Sequence, residues 1–411
     1  MNWLIAHAHG NANVRSVLKV MQSRREKFIF LTILAFPNFS VLSILSKKFK
    51  LFDQLSLKTY PGIPFHFIKM SLFHFFSFGI KKYLRAFLKY STVRLTGVSI
   101  HESRLDSRAA VSLLKNPKIN IVYGYQGMCI RQFSQAKELG LTTILELPNS
   151  LKRVQDQITE IEAIKFPQWN FEAELQTGRE KIYAQEAREL DLADWIVVPS
   201  QQVQDSITGL CDQSKIVTIP YSITLGKPNR AILQAAKKNR VLIVSRLIST
   251  KGIHYLSQAT RDIDEDFELC IVGSLPLSPS KELLSFLRRH NYLGNISRNQ
   301  IVELMKTCEI FVLPSLIEGR SLSSLEAISQ GLIPVITSGT GAQDVVKGNG
   351  ILIPSRSSSA IREALLSLFS MENSAKYEMR LKSLEIAESL SENFYLEALD
   401  NFFSMVEELR F

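Results

Sequence analysis

The stretch Ile310-Phe311-Val312-Leu313-Pro314-Ser315-Leu316-Ile317-Glu318-Gly319-Arg320-Ser321-Leu322-Ser323-Ser324-Leu325-Glu326-Ala327-Ile328 decides the fold. Its first four residues are apolar and make a strand. A loop follows, Ser321 stands where a helix N-cap belongs, and a helix runs from Leu322. Leu322, Leu325 and Ile328 define the inward face of that helix. Glu326 falls only about 40° from Leu322 at about 100° per residue, so its carboxylate points to the interior or to a cleft. A buried carboxylate needs hydrogen-bond donors or a cation, and a ribose diol presents two donors in a fork. Glu318, in the loop at the strand end, can reach another part of the same ligand.

Outward from this stretch the same strand-then-helix unit repeats. Val241–Val244 reads as a strand, followed by Ser245-Arg246-Leu247-Ile248-Ser249-Thr250-Lys251-Gly252 and a helix. Arg246 and Lys251 therefore lie at the strand's carboxyl end beside a helix N-terminus. Two cations, free amides and the positive end of a helix dipole suit a diphosphate. Further strands are expected at Trp3–Ala6, Phe28–Leu34, Ile119–Tyr123, Thr142–Leu145, Trp195–Val198 and Ile216–Ile219. A second series follows at Glu268–Val272, Ile333–Ile336 and Gly350–Ile353. Strands alternating with helical patterns mean parallel sheets, and two series mean two doubly wound α/β domains. The 411 residues fit two or three domains at roughly 150 residues each. The boundary is expected near Pro220–Arg240. Two such sheets enclose a cleft at the carboxyl ends of their strands.

Composition excludes several classes. With 45% hydrophobic and 21% charged residues the chain is ordinary globular material, neither disordered nor collagenous. Cys129, Cys211, Cys270 and Cys308 lie far apart, with no CxxC and no Cys/His spacing, so no disulfide scaffold or structural zinc site is expected and a reducing compartment is the simpler reading. The amino-terminal residues carry no secretory signal pattern. Phe28 to Leu45 holds no charge, but Pro37-Asn38 interrupts it, so it reads as strand, turn and helix start rather than a membrane span.

Nearly all of the net charge of +10 sits between residues 47 and 94, where ten basic residues face one acid, Asp53. Nine of the 24 phenylalanines share that window. Lys81, Lys82, Arg85 and Lys89 fall on one helical arc beside Ile80, Leu84, Phe87 and Leu88. Such a stripe suits an anionic membrane surface; a core helix with a solvated basic face is the alternative. Nucleic acid is not expected, because no recognisable module accompanies the basic patch.

Taken together, the sequence resembles the retaining glycosyltransferases of family 4, which have the two-domain GT-B fold. Glu318 and Glu326 match that family's E-x7-E motif, within Pro314-Ser315…Glu318-Gly319…Leu325-Glu326-Ala327…Gly331…Pro334-Val335-Ile336. Ser245-Arg246-Leu247…Lys251-Gly252 matches its diphosphate-binding segment, and Ile271-Val272-Gly273 the strand end flanking the nucleobase. The resemblance implies an acceptor-side domain over residues 1–220 and a nucleotide-sugar domain over 221–392. It also implies a terminal helix over 393–411 that returns to the first domain. By the resemblance Arg246 and Lys251 neutralise the donor pyrophosphate, Glu326 holds the ribose and Glu318 contacts the transferred sugar. Gly10, Gly273, Gly319, Arg320, Ser321 and Leu322 complete the donor site. No metal or other cofactor is implied, and Asp262-Ile263-Asp264 reads as a solvated turn.

The chain departs from the family pattern in places. Arg320-Ser321 replaces the common Phe-Gly pair, so Arg320 either adds a cation near the phosphates or faces solvent. The family's glycine-rich loop reduces to His9-Gly10-Asn11, and its first-domain histidine has no clear match. His9 and Glu146 are the acceptor-side candidates, for acceptor binding or proton acceptance. The expected activity is transfer of a hexose-class sugar, with retention, from a nucleotide-sugar donor to a glycan or glycolipid acceptor. The expected location is the cytoplasm, on the inner face of the cytoplasmic membrane. The alternatives are a nucleotide-sugar epimerase on the same fold and a non-catalytic membrane-bound scaffold with a vestigial donor site.

Overall fold

The computed structural model describes residues 1–8, 10–33, 35, 60, 62–70, 100–223, 230–234, 236–261 and 263–409. His9, Asp262, the boundary loop 225–229 and most of the basic window, including Lys81, Lys82, Arg85 and Lys89, lie outside the described residues.

The chain folds into two doubly wound lobes. The first sheet comprises β1 (Asn2–Ala6), β2 (Lys27–Thr32), β3 (Ile68–Met70), β4 (Ile121–Tyr125), β5 (Thr142–Glu146), β6 (Trp195–Val198) and β7 (Ile216–Thr218), in the order β3-β2-β1-β4-β5-β6-β7. The second comprises β8 (Arg240–Val244), β9 (Glu268–Val272), β10 (Asn291–Gly294), β11 (Ile310–Leu313), β12 (Ile333–Thr337) and β13 (Ile351–Ile353), in the order β10-β9-β8-β11-β12-β13. Every pairing is parallel. Parallel strands carry helices on both faces, which is why β4 and β11 are buried along their whole length. This is the GT-B arrangement.

In each sheet the strand order reverses once, between β1 and β4 and between β8 and β11. A crevice opens outside the carboxyl ends of the strands at such a reversal. The loops that leave β8 and β11 carry Arg246, Lys251 and Glu318, so topology alone sets these residues side by side.

Among the described residues the lobes meet at several junctions. The helix Glu392–Glu408 returns to the first lobe, burying Tyr395, Leu399, Phe402, Phe403 and Val406 beside Trp3 and the helix Ala12–Ser23. Arg24 fixes it through Asp400 at 2.9 Å and Glu407 at 2.6 Å. Second, Ile223 donates its N–H to Leu390 O at 3.1 Å where the chain crosses over.

A third junction was not legible in the sequence. Ala163, Trp169 and Phe171, which precede β6, are buried in the second lobe's core. They belong to a strap formed by the helix Lys152–Lys165 and two short 3-10 turns that end at Glu174. Glu162, fully buried, accepts from Tyr255 Oη at 2.8 Å and from Arg356 Nε at 2.6 Å, and lies 3.0 Å from His254 Nε2. Burial alone would raise its pKa, but the bonds from His254, Arg356 and Tyr255 prevail and hold it at about 2. Phe166, Trp169, Phe171 and Tyr255 enclose the His254 ring, with centroids 4.3–5.8 Å away.

The strand expected at Ile119–Tyr123 is displaced two residues, to Ile121–Tyr125, because Ile119 donates back to Asn116 in a turn. Strands β3 and β10 were not anticipated; both lie on sheet edges and are short and only partly buried.

Candidate functional site

Ser321 caps the helix Leu322–Ser329 by accepting from Ser324 N, so the helix begins where the sequence placed it. That start fixes the loop between β11 and the helix. Glu318 accepts a hydrogen bond from Ser315 Oγ, and its other oxygen meets Lys251 Nζ at 2.9 Å. The β8 loop and the β11 loop are thus joined by an ion pair across the switch point. Both side chains keep some exposure, 18% for Lys251 and 14% for Glu318, so the pair lies at the cleft surface. Arg246 is exposed on the same loop as Lys251. Two glycines permit this packing. A Cβ on Gly252, where φ is +64°, would stand 2.1 Å from Pro314 O, and one on Gly273 would stand 1.6 Å from Ser245 O.

Glu326 faces a cavity of about 260 Å³ between the lobes, lined by Ala12, Asn13 and Ser16, by Ser222 and Ile223, by Arg298, Leu322 and Glu326, and by Glu392 and Tyr395. Leu322 corrects the sequence expectation. It is 40% exposed and lines this cavity, whereas Leu325 and Ile328 are fully buried. The angular proximity of Glu326 to Leu322 is preserved, and for that reason both face the cleft. Arg298 Nη2 meets Glu326 Oε1 at 2.6 Å. Sequence reasoning missed this arginine; it follows Ser297, whose capping box with Gln300 starts a helix just after β10.

Arg320 is neither of the things expected of it. It is 8% exposed, and its guanidinium forks onto Asp344 at 2.7 and 2.9 Å while also donating to Tyr221 O and Gly341 O. With that many acceptors it ties the crossover segment at Tyr221 to the second lobe and is not a spare cation. Gly319 is where the lobes touch. A Cβ there would stand 1.9 Å from Pro148 O, and its carbonyl accepts from Ser200 Oγ.

On the first lobe, Gly10 has φ +54°, but the space where its Cβ would point is taken by Tyr60 Oη. Its role in this structure is therefore to accommodate Tyr60. Glu146 is the last residue of β5 and is wholly buried, unlike an accessible acceptor-side base. Tyr123 Oη donates to it at 2.8 Å and Tyr221 Oη at 2.7 Å. Burial raises its pKa, against the bonds from Tyr221 and Tyr123. Two further acids escaped the sequence reading. Glu189 accepts from Gly127 N at 2.7 Å and Cys129 N at 3.0 Å. Glu186 accepts from Gln126 Nε2 at 2.7 Å and Lys152 N at 2.9 Å. Burial lifts Glu186 to about 7 despite those bonds. Both serve as caps for loops at the carboxyl ends of β4 and β5.

Among the described residues no group of three His, Cys, Asp or Glu side chains is placed to hold a metal ion, and no helix is long and apolar enough to cross a membrane.

Residues 227–383 match the family model for glycosyl transferases group 1. Over 116 residues the chain is 34% identical to the N,N'-diacetylbacillosaminyl-diphospho-undecaprenol alpha-1,3-N-acetylgalactosaminyltransferase of Campylobacter jejuni, a match covering 28% of this chain and 30% of that protein. Over 169 residues it is 31% identical to the UDP-Gal:alpha-D-GlcNAc-diphosphoundecaprenol alpha-1,3-galactosyltransferase of Escherichia coli, covering 34% of this chain and 42% of that one. The matches span less than half the length of these relatives. Among solved structures, Anabaena Alr3699/HepE in complex with UDP aligns over 99% of both chains at TM-score 0.63 and 13% identity. The lipopolysaccharide outer core galactosyltransferase WaaB aligns over 98% of this chain and 99% of that one, at TM-score 0.62 and 15% identity. The fold is GT-B, and the second lobe is related to group 1 glycosyl transferases.

Proposed function

We propose that this protein is a retaining glycosyltransferase of the hexosyl class, taking a sugar from a nucleoside-diphosphate donor and passing it to a membrane-proximal glycan or glycolipid. The observation that carries the reading is the Lys251–Glu318 ion pair at the switch-point crevice. Arg246 lies on the same loop, and Glu326 faces the adjoining cavity.

In this reading the arriving diphosphate takes Lys251 from Glu318. The freed Glu318 carboxylate then accepts from hydroxyls of the sugar to be transferred, while Glu326 accepts from the ribose diol. As the bond from the anomeric carbon to the phosphate oxygen breaks, the acceptor hydroxyl oxygen bonds to that carbon and its proton passes to the departing diphosphate, on which negative charge grows in the transition state. Arg246 and Lys251 are aimed at that charge, so their contribution is larger in the transition state than in the bound donor. These two side chains supply the positive charge, so the proposal assigns the reaction no metal.

The acceptor side of the proposal rests on two supports. Two relatives are named for undecaprenol-diphosphate-linked substrates, and residues 47–94 carry ten basic residues against one acid. Together they favour a lipid-linked acceptor at the inner face of the cytoplasmic membrane, with the protein bound peripherally.

The test is sugar transfer by the purified chain at limiting donor, compared with Lys251→Ala and Glu326→Ala. Both variants are expected to be severely impaired. Parental rates in both would overturn the site. Release of an epimerised nucleotide sugar without acceptor would favour an epimerase instead.

A further inference from the structure

We infer that Glu174, at the tip of the interlobe strap, is a positioning residue for the donor diphosphate loop. This inference rests on the proposed donor site and adds a residue to it that belongs to no motif.

The loop that carries Arg246 and Lys251 has a structural problem at its centre. Ser249–Lys251 forms a single 3-10 turn, and the residue at its N-cap is Ile248, whose side chain has no acceptor to offer. The Ser249 N–H is buried and, at the start of the turn, has no carbonyl of its own loop to bond. An uncapped buried N–H costs stability and leaves a loop free to shift.

Glu174 solves this from outside the lobe. Its carboxylate accepts from Ser249 N at 3.0 and 3.2 Å and from Ser249 Oγ at 2.6 Å. Thr159 Oγ1, on the same strap, lies 3.1 Å from Ser249 Oγ. The next residue, Thr250, accepts from Leu316 N at 2.8 Å, which locks the diphosphate loop to the loop bearing Glu318. Glu174 therefore holds the residue that lies between the two cations, two positions before Lys251 and three after Arg246. Burial raises the Glu174 pKa, against the bonds from Ser249 and the attraction of Arg246.

The strap has reason to hold this geometry. Glu162 and the ring enclosure around His254 weld its helix to the second lobe, and Trp169 and Phe171 are buried in that core. Glu174 extends from this fixed base only three residues past Phe171. A side chain on a rigid support can fix two cations to within the fraction of an ångström that diphosphate recognition requires. No sequence pattern would single out this glutamate, because it lies 75 residues from Ser249.

The test is a titration of the full chain with UDP, GDP and ADP, followed by thermal shift. The forms compared are the parent, Glu174→Ala, Ser249→Ala, the double variant and Lys251→Ala. The diphosphate that binds the parent should bind Glu174→Ala about tenfold more weakly, the worth of a lost charge-assisted hydrogen bond. Ser249→Ala removes only the hydroxyl contact and keeps the backbone N–H bonded to Glu174, so it should weaken binding less than Glu174→Ala, and the double variant should be no worse than Glu174→Ala alone. Should Glu174→Ala fold poorly, Glu174→Gln keeps one acceptor and should show a smaller loss of affinity. Parental affinity in both Glu174 variants, or losses that multiply in the double variant, would overturn the inference while leaving the donor site standing. Undiminished binding by Lys251→Ala, or no binding of any diphosphate by the parent, would overturn the donor site itself and the inference with it.

Discussion

Glu318 follows a strand of the second sheet and Glu146 ends a strand of the first, yet the two carboxylates have opposite surroundings. Glu318 lies past the end of β11, partly exposed, with a lysine from the neighbouring loop as its partner. Glu146 lies within β5, sealed from solvent, with two tyrosine hydroxyls as its partners. A carboxylate that keeps some exposure at a cleft and is held by a neighbouring loop's cation can exchange that cation for a ligand without opening a core. A carboxylate sealed among phenols cannot be released without stranding their hydroxyls. The difference separates a group poised for binding from one that organises a core.

Breaking the interlobe weld should have the largest effect. Glu162→Ala removes the acceptor of Tyr255 and Arg356, and unfolding by denaturant should show a loss of about 3–5 kcal/mol, as when one partner of a buried pair is deleted. The same group sets an acid limit. Its folded pKa of about 2 lies below the ordinary glutamate value of 4.5, so its stabilisation is complete above pH 4.5 and is lost as pH falls towards 2. That difference amounts to about 3 kcal/mol, and an acid titration of Glu162→Gln should lack the corresponding decline.

Next in size, Lys251→Ala should lower transfer by about a hundredfold or more, equivalent to about 3 kcal/mol, with little change in stability. Glu146→Gln should behave in the reverse manner. It should lose about 1–3 kcal/mol of stability through a compromised tyrosine cluster while the donor KM stays near the parental value. If Glu146→Gln instead lost transfer at full stability, the contrast between the two carboxylates would be wrong.

Glu186 gives a pH dependence of the opposite sign to that of Glu162. Its folded pKa, about 7, is raised above 4.5, so the folded state holds the proton more tightly and stability falls as pH rises through that window. Glu186→Gln should flatten the decline between about pH 5 and 7, measured by thermal melts across that range. The smallest effect is expected for Arg298→Ala. Arg298 is 63% exposed, so its loss should change stability by less than about 1 kcal/mol.

The second lobe was largely legible because its chemistry follows the strand order. Each functional loop leaves a strand directly, Ser321 announces the helix start, and the angular position of Glu326 against Leu322 follows from helical spacing. Leu322 was misjudged because periodicity identifies one side of a helix but not whether that side meets a core or a cleft. Arg320 was misjudged because its partners, Asp344 and the carbonyls of Tyr221 and Gly341, are 21 to 99 residues away. The first lobe resisted for the same reason. Glu174, Glu186 and Glu189 act on backbone N–H groups remote in sequence, and no local pattern records which amide a carboxylate will cap. The strap was hidden because its apolar residues, Trp169 and Phe171, look like any core residues; the sequence does not say whose core they enter.

The central claim is best tested by locating a bound nucleoside diphosphate crystallographically in the full chain soaked with UDP, GDP or ADP. The account predicts the two phosphates between Arg246 and Lys251 and the ribose hydroxyls on Glu326, with Lys251 drawn away from Glu318. Density for the nucleotide in any other part of the molecule, with the Lys251–Glu318 pair intact, would contradict it.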